Sequence, residues 1–379
     1  MICRLIESNL DSISVTPRVN RHEMFRYVHR PTLLRVEFNP CSDPGDAKGT
    51  SIALSCLKDI CRSKNISFGP TTPKFGQLLH MLPKQCKGSP VENQLSKFCT
   101  KAIHIYNELG KWASDYFILE SISVLAKRDD AGVDPFRQIE ERDSLLRILD
   151  NGPLRVLRQK EDFTGTFALS NKVENLISFL HCQDFKKCSG ILFVQQRAVV
   201  SVLCKLLSTH PKIKGRFQCA TFVGMSNNAR KKYGMTELLD LKAQCEILAG
   251  FRTREKNLII ATDVLEEGID ITACNLVFCF DPPANVKSFI QRRGRARQEK
   301  SQFAIMFPKG EGVSKIELWR SLEANLIETY QTEQRKIHAL KALEDNDFDV
   351  VPGKLFIEST RYVILQYTLP FFFIFNNDS

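Results

Sequence analysis

Nowhere in the 379 residues is there a Gly-x-x-x-x-Gly-Lys-Ser/Thr loop, whose amides and lysine cradle nucleotide phosphates. An Asp-Glu-x-His or Asp-Glu-x-Asp box to hold magnesium is missing too. The nearest stretch, Glu108-Leu109-Gly110-Lys111-Trp112, has one glycine and no hydroxyl after its lysine. These absences exclude nucleotide hydrolysis by this sequence's own groups. The thirteen cysteines show no zinc spacing: the close pairs Cys56/Cys61 and Cys182/Cys188 have no matching second pair. Met1 to Glu7 has no apolar signal core. The cysteines therefore read as reduced thiols in a cytoplasmic or nuclear, not secreted, protein. The apolar run Tyr362 to Phe375 is broken by Gln366, Thr368 and Pro370. It falls short of the roughly 20 residues a spanning helix needs, so no membrane partner is expected. Internal repeats and low-complexity tracts are absent as well.

What is present is ordinary globular composition, 43% hydrophobic and 25% charged, with a net charge of +10 that suits a polyanionic partner. The chain divides by pattern. Residues 39–90 are rich in proline and glycine around a helix at Ser51 to Arg62 and a second around Leu78 to Met81. From Val91 to Arg128, Leu95, Phe98, Ala102, Tyr106 and Leu109, then Trp112, Phe117, Leu119, Ile122 and Leu125, recur at helical spacing on either side of Gly110. A further helix at Arg142 to Leu157 is interrupted near Gly152-Pro153. Residues 170–310 alternate short apolar strands (Ile191–Val194, Gln218–Val223, Asn257–Ala261, Leu276–Phe280, Phe303–Phe307) with helices (Val173–Leu180, Ala198–Leu207, Thr236–Phe251, Val286–Arg292). That alternation predicts an α/β fold with a parallel sheet covered on both faces. Ser314 to Glu344, free of proline and glycine, reads as one long helix or a bent pair.

Chemistry concentrates in Gln291-Arg292-Arg293-Gly294-Arg295-Ala296-Arg297, with four arginines in seven residues. Arginine stays charged and donates a two-pronged fork to phosphate oxygens, which suits charge building up on a transferring phosphoryl group. Arg295 and Arg297, with Gln291, are the candidate catalytic residues. Gly294 lets the backbone approach a facing domain. Upstream, Ala261 to Asp270 places Thr262 and Asp263 at the C-terminal end of a strand, the edge at which open α/β sheets bind ligands. The Thr262 hydroxyl can hold an RNA phosphate. The segment Ala261 to Asp270 resembles helicase motif V, which implies that Gly268 and Asp270 would lie nearer a nucleotide, Asp270 accepting from a ribose hydroxyl or orienting an arginine. Gln196 and Arg197, ending the strand Ile191–Val194, resemble motif IV, which implies that they face a nucleic-acid backbone, and Gly224, after Phe222-Val223, resembles the next strand end, where a phosphate would come close. Asp281-Pro282-Pro283 frames the arginine run. Segment 285–300 holds six basic residues and one acidic, so binding should weaken with salt.

In this order these segments resemble motifs IV, V and VI on the second of the two RecA-like domains of superfamily 2 helicases. The run Ser189 to Phe307 closely resembles the C-terminal helicase domain of Dicer-like proteins, nearest the fungal Dicer-like 2 group. Gly110 to Ser123 resembles the helical insertion that group shares with RIG-I-like helicases. The resemblance implies an end of the first RecA-like domain at 1–38 and a mainly α-helical insertion domain at 39–165. A RecA-like helicase C-terminal domain follows at 166–312, a helical arm at 313–346, and the start of a dimerisation domain with an irregular apolar tail at 347–379. It implies an ATP-dependent helicase acting on double-stranded RNA in RNA silencing and antiviral defence, with ATP and Mg²⁺ as cofactors. The implied partners are double-stranded RNA, a first RecA-like domain that this sequence does not contain, and a double-stranded-RNA-binding protein. No RNase III or PAZ-like segment is present, so RNA cleavage does not carry over, and a truncated gene product or incomplete gene model is the expectation. A non-catalytic duplex-RNA-binding module and a RIG-I-like helicase remain as alternatives. Without the missing phosphate-cradling groups, the arginines can contact ATP only weakly.

Overall fold

The strands are short, and four of the six are four residues long; Gly190–Phe193, Leu258–Ala261 and Leu276–Cys279 are buried along their whole length. Such segments are stable only with a layer on each face. The computed structural model describes residues 29–40, 51–68, 89–127, 135–150, 152–159, 167–223, 244–266, 271, 273–326 and 328–329. In chain order the elements are β1 (Thr32–Phe38), α1 (Ile52–Ser63), α2 (Pro90–Leu109), α3 (Lys111–Lys127), α4 (Pro135–Leu149), α5 (Gly152–Gln159), α6 (Asn171–His181), β2 (Gly190–Phe193), α7 (Arg197–Thr209), β3 (Cys219–Phe222), α8 (Gln244–Arg252), β4 (Leu258–Ala261), β5 (Leu276–Cys279), α9 (Val286–Arg293) and β6 (Gln302–Pro308). A further helix, α10, covers 313–326. The expected helix at Leu78 to Met81, the start of the helix expected from Thr236, the distal arm and the apolar tail lie outside the described residues.

The six strands form one sheet in the order β1-β6-β5-β2-β4-β3, and every pairing is parallel. This is the α/β architecture that the alternation predicts. Side chains alternate between its faces. Ile191, Phe193, Ile259, Ala261, Val277 and Cys279 pack with Phe251, Phe289 and Trp319 beneath α8, α9 and α10. Leu192, Ile260, Phe278 and Met306 point the other way.

The second face is covered by the first helices. Leu57, Phe98, Leu109 and Phe117 of these helices lie in the same buried cluster as Leu192, Phe278 and Met306, so helices and sheet share one core. The segment expected as the end of a first RecA-like domain contains a strand of the same sheet. Thr32–Phe38 pairs along its full length with Gln302–Pro308 as an edge strand. Only part of its apolar surface is buried, so its pattern is a weak strand signal. Its exit is pinned to α6: Asn39 N–H donates to Asn171 Oδ1 at 2.8 Å, and the Asn175 amide donates to the Glu37 carbonyl at 2.7 Å.

Two features join helices and sheet. Ser89 caps α2 in a reciprocal box with Glu92, and α2 stops at Gly110, whose φ is +101°. A Cβ there would lie 2.7 Å from Ser170 N and 2.8 Å from Ala168 O, both backbone atoms. Only glycine fits both the dihedral and the space. One turn away, Lys172 is 7% exposed. Its ammonium donates to Glu108 of α2 at 2.6 Å and to Asp281 at 2.8 Å, and lies 4.0 Å from the centroid of Phe280. Burial disfavours its charge, but Asp281 and Glu108 outweigh burial and hold it above the ordinary lysine range. Asp281, which burial alone would raise, is held below the usual carboxylate range by Lys172. His104 faces the same group and is pushed below its ordinary value by burial, so it is neutral near pH 7.

Gly110→Ala is expected to cost about 3 kcal/mol or more in urea unfolding, from strain plus a clash with backbone. Gly152→Ala, also at positive φ but with nothing within 4 Å, isolates the dihedral contribution of about 1 kcal/mol. The depressed carboxyl of Asp281 stabilises the fold above its unfolded pKa, and that stability is lost as pH falls through its folded value. Lys172 contributes fully below about pH 10 and loses its contribution as pH rises through its raised value. Asp281→Asn should therefore flatten the loss of stability seen below about pH 4 when urea midpoints are measured against pH.

Candidate nucleic-acid interface

Parallel pairing brings the C-terminal ends of β2, β4 and β5 to one rim, with β2 in the middle. At that rim lies an open cleft of about 760 Å³, lined by Gln195, Arg197, Thr262, Asp263, Val264, Glu266, Asn285, Lys287, Ser288 and Gln291. Arg197 opens α7 after β2, Thr262 and Asp263 follow β4, and the remaining polar wall is one face of α9. Asn285 caps α9 by accepting from Ser288 N–H at 2.9 Å. Thr262 is 5% exposed, so only its edge reaches the cleft.

The cleft is closed at its base by ion pairing. Arg292 Nε donates to Glu266 Oε1 at 2.7 Å, and Ser288 Oγ donates to Glu266 Oε2 at 2.9 Å. Arg292 also donates to the Asp281 carbonyl at 3.1 Å and lies 4.9 Å from the Phe193 ring centroid. Arg293 points elsewhere, to Glu323 on α10 with one donor at 2.7 Å, while Trp319 of α10 stacks on Phe289 at 5.1 Å. Two of the four arginines thus form ion pairs within the fold: one joins the turn after β4 to α9, the other docks α10.

Arg295 and Arg297 lie beyond the end of α9. Arg295 donates to the Glu266 carbonyl at 3.1 Å, and Arg297 Nε donates to the Gly294 carbonyl at 2.6 Å. Their backbones clamp Cys274, just before β5: Cys274 N–H donates to Arg295 O and Arg297 N–H to Cys274 O, both at 3.1 Å. This arginine pair does not itself line the cleft, although Arg295 is bonded to Glu266, which does; Gln291 lines it as well. Gly294 has ordinary helical dihedrals, but a Cβ there would lie 3.2 Å from the Ile290 carbonyl, so its use lies in close backbone packing and not in its φ. Burial pushes the Cys274 thiol up to about 12 and the Cys279 thiol up to about 11, so both stay protonated.

Several sequence expectations shift. Gln195, and not Gln196, reaches the cleft beside Arg197; Gln196 occupies the N-cap of α7, its carbonyl accepting from Val199 N–H at 3.0 Å. Gly224, Gly268 and Asp270 lie outside the described residues. Asn285, Lys287, Ser288 and Glu266 were not singled out by the motifs. Their signal was present in the Asn-x-x-Ser cap and in the spacing of 285, 288 and 291 along one helix face. Among the described residues, no group of three His, Cys, Asp or Glu could hold a metal ion. No described helix is long and apolar enough to cross a membrane.

Residues 171–299 match the helicase conserved C-terminal domain. Over 95% of the chain, the sequence is 39% identical to Dicer-like protein 2 of Neosartorya fischeri and 40% identical to Dicer-like protein 2-1 of Aspergillus niger. The chain spans 26% of the length of each of these relatives. A solved structure of the Pyrococcus furiosus Hef helicase domain aligns with 78% of this chain and 59% of its own at 19% identity and a TM-score of 0.35.

Removing Arg292 leaves the Glu266 carboxylate buried and unpaired. Arg292→Ala should cost about 3–5 kcal/mol in urea unfolding, while Arg293→Ala, at a more exposed pair, should cost about 1 kcal/mol. Equal losses would undo this division of roles. Over 95% of its length the chain is thus similar to a stretch of Dicer-like protein 2, with a helicase conserved C-terminal domain at residues 171–299.

Proposed function

We propose that this chain supplies the second RecA-like half of an ATP-dependent RNA helicase module that acts on double-stranded RNA in RNA silencing and antiviral defence. The observation that carries this reading is the convergence of Arg197, Thr262, Asp263 and Lys287 on one rim cleft from three different strand ends. Arg197 and Lys287 are placed to meet backbone phosphates, and the Asp263 carboxylate can accept from a 2′-hydroxyl. Such contacts read the backbone and not the bases, so binding should be indifferent to sequence.

Nucleotide contact falls to Arg295 and Arg297, supported by Gln291, Gly294, Gly268 and Asp270. The two guanidinium groups fit a phosphate approached from a facing domain, and no magnesium ligand set accompanies them among the described residues. ATP and Mg²⁺ would therefore be held chiefly by a first RecA-like domain, and this chain alone would not turn ATP over. A double-stranded-RNA-binding protein is a further partner in this reading. A cytoplasmic or nuclear location agrees with the free cysteines among the described residues.

The test is fluorescence anisotropy with labelled blunt RNA duplexes of unrelated sequence across a salt series. Arg197→Ala and Lys287→Ala should each reduce the slope of log affinity against log salt by about one, equally for all duplexes. Phosphate release from ATP should be absent with the chain alone. It should appear when a first RecA-like domain from a Dicer-like 2 relative is added, and be lost in Arg295→Ala and Arg297→Ala. Salt-independent binding, or turnover by the unaccompanied chain, contradicts the proposal.

A further inference from the structure

Asp281 stands outside the cleft, yet two segments that build the site, and α6 besides, meet on it. Its Oδ1 accepts from Lys172 at 2.8 Å and its Oδ2 from the Gln195 N–H at 2.8 Å. Its backbone carbonyl accepts from Arg292 at 3.1 Å. Gln195 is the wall residue two positions before Arg197, and Arg292 anchors the opposite wall through Glu266. On its far side Lys172 is gripped by Glu108 at 2.6 Å, one residue before the end of α2. A continuous chain of charge-assisted bonds thus runs from the helical module, through α6, to both walls of the cleft.

We propose that Asp281 is a positioning residue that sets the Gln195–Arg197 loop for phosphate contact, and that Lys172 and Glu108 let the helical module control that setting. The proposal rests on the rim cleft being the RNA contact and adds to it a route of regulation. The physical reason is the sharing of one carboxylate. Each oxygen has a separate donor, so a displacement of Glu108 that draws Lys172 away leaves Asp281 to reorient, and the loop amide that it accepts from moves with it. Charge-assisted bonds inside the protein hold such geometry more stiffly than neutral ones. The same group explains why a lysine is placed at a 7% exposed position: a neutral residue would fill the space but could not bridge two carboxylates from different segments.

The experiment measures duplex-RNA binding across a salt series, with urea midpoints on the same samples, for the whole chain carrying Asp281→Asn, Lys172→Met, Glu108→Gln or Arg197→Ala. The expected result is that Asp281→Asn and Lys172→Met weaken binding about tenfold at low salt and lower the salt slope by about one, as Arg197→Ala does. Glu108→Gln should give a smaller loss of the same kind. Combined with Arg197→Ala, each should add no further loss, because the same contact is already gone. Should Asp281→Asn fail to fold, the partly exposed Glu108 decides through its own slope. Variants that shift the urea midpoint but keep the native slope overturn the positioning role while leaving the cleft assignment intact. A native slope in Arg197→Ala removes the ground for both.

Discussion

A guanidinium and a carboxylate, both nearly out of water, have to find each other for the cleft to exist. Glu266 belongs to the turn after β4 and Arg292 to the last turn of α9, and their bond of 2.7 Å fixes the distance between those elements. Everything near the site takes its place from it. Ser288 completes the carboxylate's hydrogen bonding, and the Glu266 carbonyl receives Arg295. The ring of Phe193 lies beneath Arg292. A buried pair of this kind adds little net stability over an apolar pair of the same volume, but it is costly to break by halves. Its value here is register: it tells the 263–266 turn and α9 where to stand.

Much of this was legible in the sequence because the signals were local. Short apolar runs bounded by polar loops read as buried strands, and the helical spacing around Gly110 marked the two long helices it separates. The chemical types in the arginine run pointed to phosphate, although they did not distinguish the arginines that form ion pairs within the fold from those bonded to backbone carbonyls. That distinction depends on partners 26 and 30 residues away, Glu266 and Glu323, and no spacing rule reaches so far. Thr32–Phe38 was not read as a strand of this sheet for a related reason. Its partner is β6, at the far end of the sheet domain, and a half-buried edge strand lacks the pattern that marks a central one. The choice between Gln195 and Gln196 turned on how the chain leaves β2, a matter of one residue.

The shared core changes how the helices before α6 are understood. A module joined only by linkers could contribute contacts of its own without affecting the sheet. Here Leu57, Phe98 and Phe117 continue the hydrophobic layer that covers Leu192 and Phe278, and Gly110 lies in contact with the backbone at 168–170. Close-packed interiors transmit displacement poorly as bending and well as rigid shifts. The Lys172 group lies on that seam, so the polar and apolar connections run side by side.

The edge strand carries one more consequence. Since β1 lies in the sheet and Asn39 is bonded to Asn171, the polypeptide leaves and re-enters the same layer at nearly one point. Residues 40–170 are therefore a closed excursion, tied at its neck. The entropy of closing such a loop grows only with the logarithm of its length, so added length in the excursion costs the strand pairing little where it leaves the shared core untouched. The helices that cover Leu192 and Phe278 are held to their places by that core.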